Sequence, residues 1–372
     1  MAMETTFAFW WMNMIPVTRP YFPPRSRLDS YLDRIYASRQ LTNNGMLVRE
    51  LSERLCDYLG VDYLLPVANG TVALQVAYET LGIKGAAITT PFTFPATSSS
   101  LAWQRIRPVY AGIDANDLNL DPTDVTCRLE PEVSAIVPVH TYGNPCQVEA
   151  FDQLAAQHDL YLVYDASHTF GVQYRGQSLM RWGDAATLSF HATKLFHTAE
   201  GGAIIFRQAD DLERAQELIN FGLVDGSPAS VGVNGKMSEL HAAMGLAMLE
   251  DIDEIIERRV SVIHQYRRLL ANWVAMPERS ADASDNGAYM PIQLKSRKSR
   301  DHVQRRLKEH SIESRAYFSP SLDSLGLYSE AVSNLAGDAA GRVLCLPVYA
   351  ELSEGDVQRI AGLVCESIEE VT

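Results

Sequence analysis

A lysine and an aspartate in this sequence are placed in a way that favours one kind of cofactor chemistry. Lys194 lies within residues 189–197, directly after an apolar run and just before Glu200-Gly201-Gly202. Upstream, the apolar run at residues 162–164 ends in Asp165. A lysine amine can form a Schiff base with the aldehyde of pyridoxal phosphate, and an aspartate can keep the pyridine nitrogen protonated, so that the ring acts as an electron sink. The pair therefore predicts a pyridoxal phosphate enzyme with Lys194 and Asp165 as catalytic residues.

The segment Asn69-Gly70-Thr71 lies between a predicted strand and a predicted helix, where a phosphate group could bind. Glycine lets the backbone approach an anion closely, and a helix N-terminus presents free N–H groups and a partial positive charge. Threonine adds a hydroxyl donor. The alternative is an ordinary helix cap, which the segment taken alone fits better.

Asp165 and Phe94 also have simpler structural interpretations. An aspartate at the carboxyl end of a buried parallel strand points into the crevice where α/β sheets bind ligands, and a pyridinium would be its cationic partner. The same residue could instead cap a helix. Phe94, in Phe92-Thr93-Phe94-Pro95, could stack on a cofactor ring or pack in the core.

The sequence contains no spacing typical of a metal site. His191 and His197 are not placed to share one helical face, and no HxxxH or HxH pattern occurs. Neither a GxSxG elbow nor a GxxxxGK[ST] loop is present. We therefore expect no metal centre.

Apolar runs alternate with helical patterns along the first part of the chain. Several of the runs are continuous rather than alternating, which is typical of strands buried on both faces between helices. Helices are predicted at residues 28–39, 47–59 and 71–81, and strands at residues 63–68, 86–90, 109–113, 135–139, 161–164, 185–190 and 203–206. The pattern predicts an α/β fold with a mostly parallel central sheet.

The regular alternation of strand and helix patterns ends after Gly222. A turn-rich stretch at residues 226–235 precedes a helix predicted from Ser238 to about Arg268, and the remainder has weaker strand signals and a final amphipathic helix. We divide the chain into an N-terminal extension (1–13), a large cofactor-binding domain (14–245), and a linking helix with a smaller C-terminal α/β domain (246–372).

Composition limits the possible partners and compartments. The 372 residues carry a net charge of −14, which argues against nucleic acid because phosphate backbones need basic surface. The apolar segment at residues 7–12 is too short to span a membrane and lacks the features of a signal peptide, so residues 1–13 are interpreted as an upstream extension or start-site artefact. Five scattered cysteines without CxxC spacing indicate reduced thiols in a cytoplasmic protein.

Taken in order, short segments along nearly the whole chain resemble one family, the sugar-nucleotide aminotransferases of the DegT/DnrJ/EryC1/StrS type. Only residues 1–13 fall outside the resemblance. The matching segments are residues 15–20, 41–45, 69–74, 91–94, 139–143, 165–168, 189–194, 234–239 and 315–320. The resemblance implies the type I pyridoxal phosphate aminotransferase fold.

The resemblance also implies roles for individual residues. Lys194 would carry the Schiff base, Asp165 would pair with the pyridine nitrogen, and His168 would lie near the ring oxygen of the cofactor or in the neighbourhood of its carboxylate partner. Phe94 would stack on the ring. The phosphate would be contacted by Gly70, Thr71 and Ser189, and by Asn234 of the neighbouring subunit of a homodimer.

Two further positions are implied less directly. Tyr317 and Lys236 are candidates for the substrate pocket. Lys236 follows Gly235 where the family usually has arginine after a bulky residue, and an ammonium does not replace a guanidinium at a bidentate site. The contact made by Lys236 is therefore left open.

The local variants most resemble members that aminate C4 of dTDP-4-keto-6-deoxy-D-glucose with L-glutamate as donor, giving dTDP-4-amino-4,6-dideoxy-D-glucose for O-antigen and other surface glycans. No physical argument from sequence fixes C4 over C3, since rotating the hexose can present either carbon. A C3 aminotransferase and a dehydrase therefore remain alternatives, although the dehydrases carry histidine in place of the lysine. A non-catalytic regulator is disfavoured by Lys194, the acidic charge and the lack of a spare domain.

Overall fold

The structure is a computed structural model that describes residues 14–329 and 334–371. The extension expected at residues 1–13 lies outside the described residues. No helix in the described part of the chain is long and apolar enough to cross a membrane.

A central sheet of seven strands forms the framework of the molecule. Its strands are Tyr63–Val67 (β1), Ala86–Thr89 (β2), Arg107–Tyr110 (β3), Val133–Val137 (β4), Tyr161–Asp165 (β5), Ala185–Ser189 (β6) and Gly202–Phe206 (β7). The strand order is β1-β7-β6-β5-β4-β2-β3. Strand β7 runs antiparallel to both of its neighbours, and all other pairs are parallel. The predicted mostly parallel α/β sheet is confirmed.

The sequences of the strands are continuous apolar runs because both faces of the sheet are buried. All residues of β2 and β7 are buried. The helices of this part are Arg25–Ser38 (α1), Met46–Leu59 (α2), Gly70–Leu81 (α3), Pro95–Trp103 (α4), Pro122–Cys127 (α5), Val148–His158 (α6) and Ala209–Leu218 (α7). Short 3₁₀ turns occupy Thr141–Gly143 and Leu179–Arg181, and short strands pair in the hairpins Gln173–Tyr174 with Gln177–Ser178 and Leu223–Val224 with Ser227–Pro228.

The long helix predicted from Ser238 to about Arg268 is in fact two helices, Glu239–Leu249 (α8) and Ile252–Leu270 (α9). The break falls at Glu250 and Asp251, whose carboxylates are bound by residues on or beside α1. Arg27 contacts both, at 2.9 Å from Glu250 and 2.6 Å from Asp251. Tyr31 donates to Glu250 and Tyr21 to Asp251. The contacts hold the two acidic residues against α1, at the point where the helical path is interrupted.

A second hydrophobic cluster forms towards the C-terminus. It is built on strands Met290–Gln293 (β8) and Val343–Leu346 (β9), which pair antiparallel, and on helices Arg297–Glu309 (α10) and Glu354–Glu369 (α12). Helix Asn334–Arg342 (α11) packs instead in a separate cluster with Phe92, Tyr142 and Phe318, and a 3₁₀ turn occupies Leu322–Leu325. Helix α9 contributes Val262, Ile263, Tyr266 and Leu270 to this cluster. Ile15 joins it from the N-terminal side and pairs with Ile312. The domain boundaries given above stay a prediction.

Candidate active site

The carboxyl ends of several parallel strands bring the predicted residues to one edge of the sheet. Strand β5 ends at Asp165 and β6 ends at Ser189, while β1 leads into Gly70 and β2 leads towards Phe94. Ligand sites of open α/β sheets form at this edge. Here it opens into a cavity of about 630 Å³ whose lining includes Lys194.

Lys194 lies in the loop between β6 and β7, in a turn where its backbone N–H donates to His191 O at 2.8 Å. Burial in the cavity disfavours the charged amine and lowers the pKa of Lys194 to about 8, although the negative charge of Asp165 acts in the opposite direction. The neutral amine, which is the nucleophilic form, is therefore accessible near neutral pH.

Asp165 is buried and has its carboxylate fixed by three donors. Ser167 donates to Oδ1 through its hydroxyl (2.6 Å) and its backbone N–H (3.2 Å). Thr97, on α4, donates to Oδ2 at 2.8 Å. The carboxylate lines the cavity and is available to a cationic group placed there.

Gly70, Thr71 and Ser189 lie together at the N-terminus of α3. The side chain of Asn69 accepts from Val72 N, whereas Gly70 and Thr71, whose N–H groups have no acceptor within the helix, line the cavity. A Cβ atom at Gly70 would lie 2.9 Å from Ser189 Cβ, and one at Gly202 would lie 2.8 Å from Gly70 N. Both glycines are therefore required by close approach, and the site has the N–H and hydroxyl donors that a phosphate needs.

Aromatic side chains and His168 line the remaining wall. Phe94 precedes α4 and is 58% exposed at the cavity, as expected for a ring free to contact a ligand rather than one packed in the core. The His168 ring lies parallel to Phe318 at 6.0 Å and edge-on to Tyr289 at 4.7 Å. Burial and the neighbouring Lys194 charge lower the pKa of His168 well below its usual value, and its buried Nδ1 has no partner among the described residues. Tyr317 also lines the cavity.

Two predicted residues lie outside this cavity. Asn234 is exposed. Lys236 donates to Asn220 Oδ1 at 3.0 Å and sits 4.6 Å from the Phe221 ring centroid. Neither lines the cavity of its own chain.

Sequence reasoning missed two residues that the fold brings to the site. Arg315 lines the cavity and donates to the Tyr317 hydroxyl at 3.1 Å. Thr97 reaches Asp165 from α4. Arg315 begins one of the segments that resemble the family, which could have drawn attention to it, whereas Thr97 follows Pro95 as an ordinary residue of a first helical turn.

The residues present fit pyridoxal phosphate. The donors at α3 suit its phosphate, Lys194 suits its aldehyde, and Asp165 suits its ring nitrogen. The unpartnered Nδ1 of His168 offers a further hydrogen-bonding group beside them. Among residues 14–329 and 334–371, no group of three or more His, Cys, Asp or Glu side chains is arranged to hold a metal ion.

Comparison with known proteins agrees with this geometry. The DegT/DnrJ/EryC1/StrS aminotransferase family matches residues 25–365. A dTDP-4-amino-4,6-dideoxy-D-glucose transaminase of Shigella dysenteriae is 40% identical over 360 residues, covering 94% of this chain and 98% of that protein. A transaminase of the same name from Escherichia coli is 36% identical, with the same coverage.

Solved structures show the same architecture. The crystal structure of DesI with its TDP-sugar product superposes with a TM-score of 0.91 at 35% identity, covering 96% of this chain and 93% of that one. Helicobacter pylori PseC, an aminotransferase of pseudaminic acid biosynthesis, superposes with a TM-score of 0.89 at 25% identity, covering 96% and 100%.

The fold and its relatives define a pyridoxal phosphate-dependent sugar aminotransferase. More particularly, the chain belongs to the DegT/DnrJ/EryC1/StrS aminotransferase family.

Proposed function

We propose that the protein transfers the amino group of L-glutamate to C4 of dTDP-4-keto-6-deoxy-D-glucose, giving dTDP-4-amino-4,6-dideoxy-D-glucose. The observation that carries the proposal is a lysine of lowered pKa in one cavity with a fixed aspartate, in a chain 40% identical to a transaminase named for this product. The TDP-sugar bound by DesI supports the substrate class.

Lys194 is proposed as the group that moves the proton. Bound pyridoxal phosphate supplies an electron sink conjugated to the reacting carbon. The Lys194 amine removes the proton from the α-carbon of glutamate in the first half-reaction and delivers a proton to C4 of the sugar in the second. A pKa of about 8 lets one amine act as base and as acid near neutral pH.

The remaining site residues are proposed to bind and orient. Gly70, Thr71 and Ser189 hold the cofactor phosphate, Asp165 faces the ring nitrogen, and Phe94 and His168 contact the ring. Arg315 supplies a guanidinium beside Tyr317 for a carboxylate of glutamate or the diphosphate of the nucleotide sugar. A guanidinium suits both anions because each presents paired oxygens.

A homodimer with shared sites is part of the proposal. Apolar side chains are exposed around Asn234, among them Val231 (90%), Phe221 (51%) and Val233 (50%). An exposed apolar patch of this kind marks an association surface, and a second copy would cover it. Asn234 would then reach the cofactor phosphate of the partner's site, with Lys236 beside it.

The product is proposed to serve an O-antigen or another surface glycan, with synthesis in the cytoplasm. All five cysteines are free thiols in the structure, as expected where disulfides do not persist.

The test combines purified enzyme, pyridoxal phosphate, L-glutamate and dTDP-4-keto-6-deoxy-D-glucose, and locates the new amine by NMR. An amine on C4 is expected. A sugar that loses a hydroxyl without gaining nitrogen, or that is aminated only when a 3-keto substrate is supplied, would replace the proposal by the dehydrase or the C3 aminotransferase. Lys194→Ala serves as the control and should show no turnover while keeping the fold.

A further inference from the structure

Two threonines lie in series beside Asp165, and the outer of the two, Thr93, also borders the cavity. Thr97 Oγ1 lies 2.8 Å from Asp165 Oδ2, and Thr93 Oγ1 lies 3.0 Å from Thr97 Oγ1. Both threonines are at least 98% buried. No protein residue other than Thr97 is within hydrogen-bond distance of Oδ2 in the described chain, because the two contacts from Ser167 go to Oδ1.

The directions of these hydrogen bonds follow from the chemistry of the groups. An ionised carboxylate only accepts, so the single proton of the Thr97 hydroxyl points at Asp165. The Thr93–Thr97 contact can then form only if Thr93 donates. Hydrogen bonds in series polarise each other in a site shielded from water. The bond from Thr93 to Thr97 therefore strengthens the bond from Thr97 to Asp165.

We propose that Thr97 is a positioning residue for Asp165 and that Thr93 supports it through this directed pair of hydrogen bonds. The inference rests on the proposed pairing of Asp165 with the cofactor's ring nitrogen. A hydrogen bond donated to a carboxylate stabilises its ionised form, so Thr97 biases the shared proton towards the ring nitrogen. It also fixes the carboxylate plane, since Ser167 alone holds only the other oxygen.

The matched variants are Thr97→Val, which keeps the shape and removes the hydroxyl, and Thr97→Ser, which keeps the hydroxyl. Ser98→Ala is the control, because Ser98 lies on the same helix, is fully buried and contacts Tyr110 rather than Asp165. Each holoenzyme is reconstituted with ¹⁵N-labelled pyridoxal phosphate. The ring-nitrogen NMR signal is followed against pH, alongside kcat, KM and the melting temperature.

In Thr97→Val the ring nitrogen should lose its proton at lower pH than in wild type, and kcat should fall about tenfold with KM little changed, as for loss of one hydrogen bond to a charged group. Thr97→Ser and Ser98→Ala should follow wild type. A Thr97→Val enzyme with a wild-type nitrogen titration, or a Thr97→Ser enzyme as impaired as Thr97→Val, would overturn the inference.

Thr93→Val tests the relay without touching Asp165 and serves also if Thr97→Val does not fold. It should move the nitrogen titration in the same direction by a smaller amount, and an unchanged titration contradicts the directed pair. A wild-type enzyme whose ring nitrogen carries no proton would instead refute the proposed role of Asp165, so the two failures are distinguishable.

Discussion

At the scale of the residue, Lys194 is held in an environment that suits its chemistry and costs stability. Its pKa of about 8 in the folded protein lies below the 10.5 of a solvated lysine. The unfolded chain therefore binds more protons than the folded one between about pH 8 and 10.5, and the stability of the apoenzyme should rise with pH across that window. Below it the lysine is charged in both states and the full cost of burying it is present.

Lys194→Met should remove this cost. The variant apoenzyme should be more stable than wild type at pH 7 and should lose that advantage progressively as the pH rises from about 8 to above 10.5, where the wild-type amine is neutral in both states. Urea unfolding of both apoenzymes at several pH values measures the difference, with Lys295→Met, on the exposed surface, as the control. A difference that does not change with pH would contradict the burial of a charged amine at this position.

At the scale of the element, the N-terminus of α3 depends on the absence of a side chain at Gly70. Gly70→Ala places a Cβ atom 2.9 Å from Ser189 Cβ, so one of the two must move and the donors around the phosphate separate. We expect affinity for pyridoxal phosphate to fall at least tenfold, measured by cofactor fluorescence. Gly362→Ala, in α12 with nothing within 4 Å of the added atom, should bind normally, and Gly70→Ala/Ser189→Gly should recover part of the loss.

The sequence predicted those elements whose signals are local. The strands of the sheet were found because burial on both faces leaves continuous apolar runs, and α2 was found because Leu47, Leu51, Leu55 and Leu59 share its buried face. The break between α8 and α9 could not be found, because Asp251 is held by Arg27, 224 positions away. Glu239 shows the same limit. Its buried carboxylate accepts from Leu47 N and Val48 N, and so caps α2 from 192 positions away.

The sequence likewise predicted the site residues that carry a local signal and missed those that only the fold brings together. Lys194, Asp165 and the Asn69-Gly70-Thr71 segment stand out because each follows a strand signal. Thr97 and Arg315 do not stand out by type or spacing, since only the folded chain places Thr97 beside Asp165, 68 positions away. The role assigned to Asn234 stays a prediction because it concerns a second subunit, and the suggested substrate contact of Lys236 stays a prediction as well.

At the scale of the whole molecule, shared sites can be tested by complementation. Lys194→Ala and Asn234→Ala should each be inactive or severely impaired as homodimers. A mixed dimer would contain one site with both wild-type residues, so unfolding and refolding an equal mixture should restore roughly one quarter of wild-type activity if subunits pair at random. Activity no greater than that of the separate variants, from a mixture shown to exchange subunits, would place Asn234 in its own chain's site or outside both.

The wall of the cavity that carries Arg315 belongs to the C-terminal part of the chain, whereas its floor belongs to the sheet. Arg315 pairs through its backbone with Cys345 in β9, and Glu313 beside it accepts from Val17 N. A nucleotide sugar that touches both floor and wall would link the central sheet to the C-terminal part of the chain while it is bound. Saturating product should accordingly slow hydrogen–deuterium exchange across Val343–Leu346, although none of those amides lines the cavity.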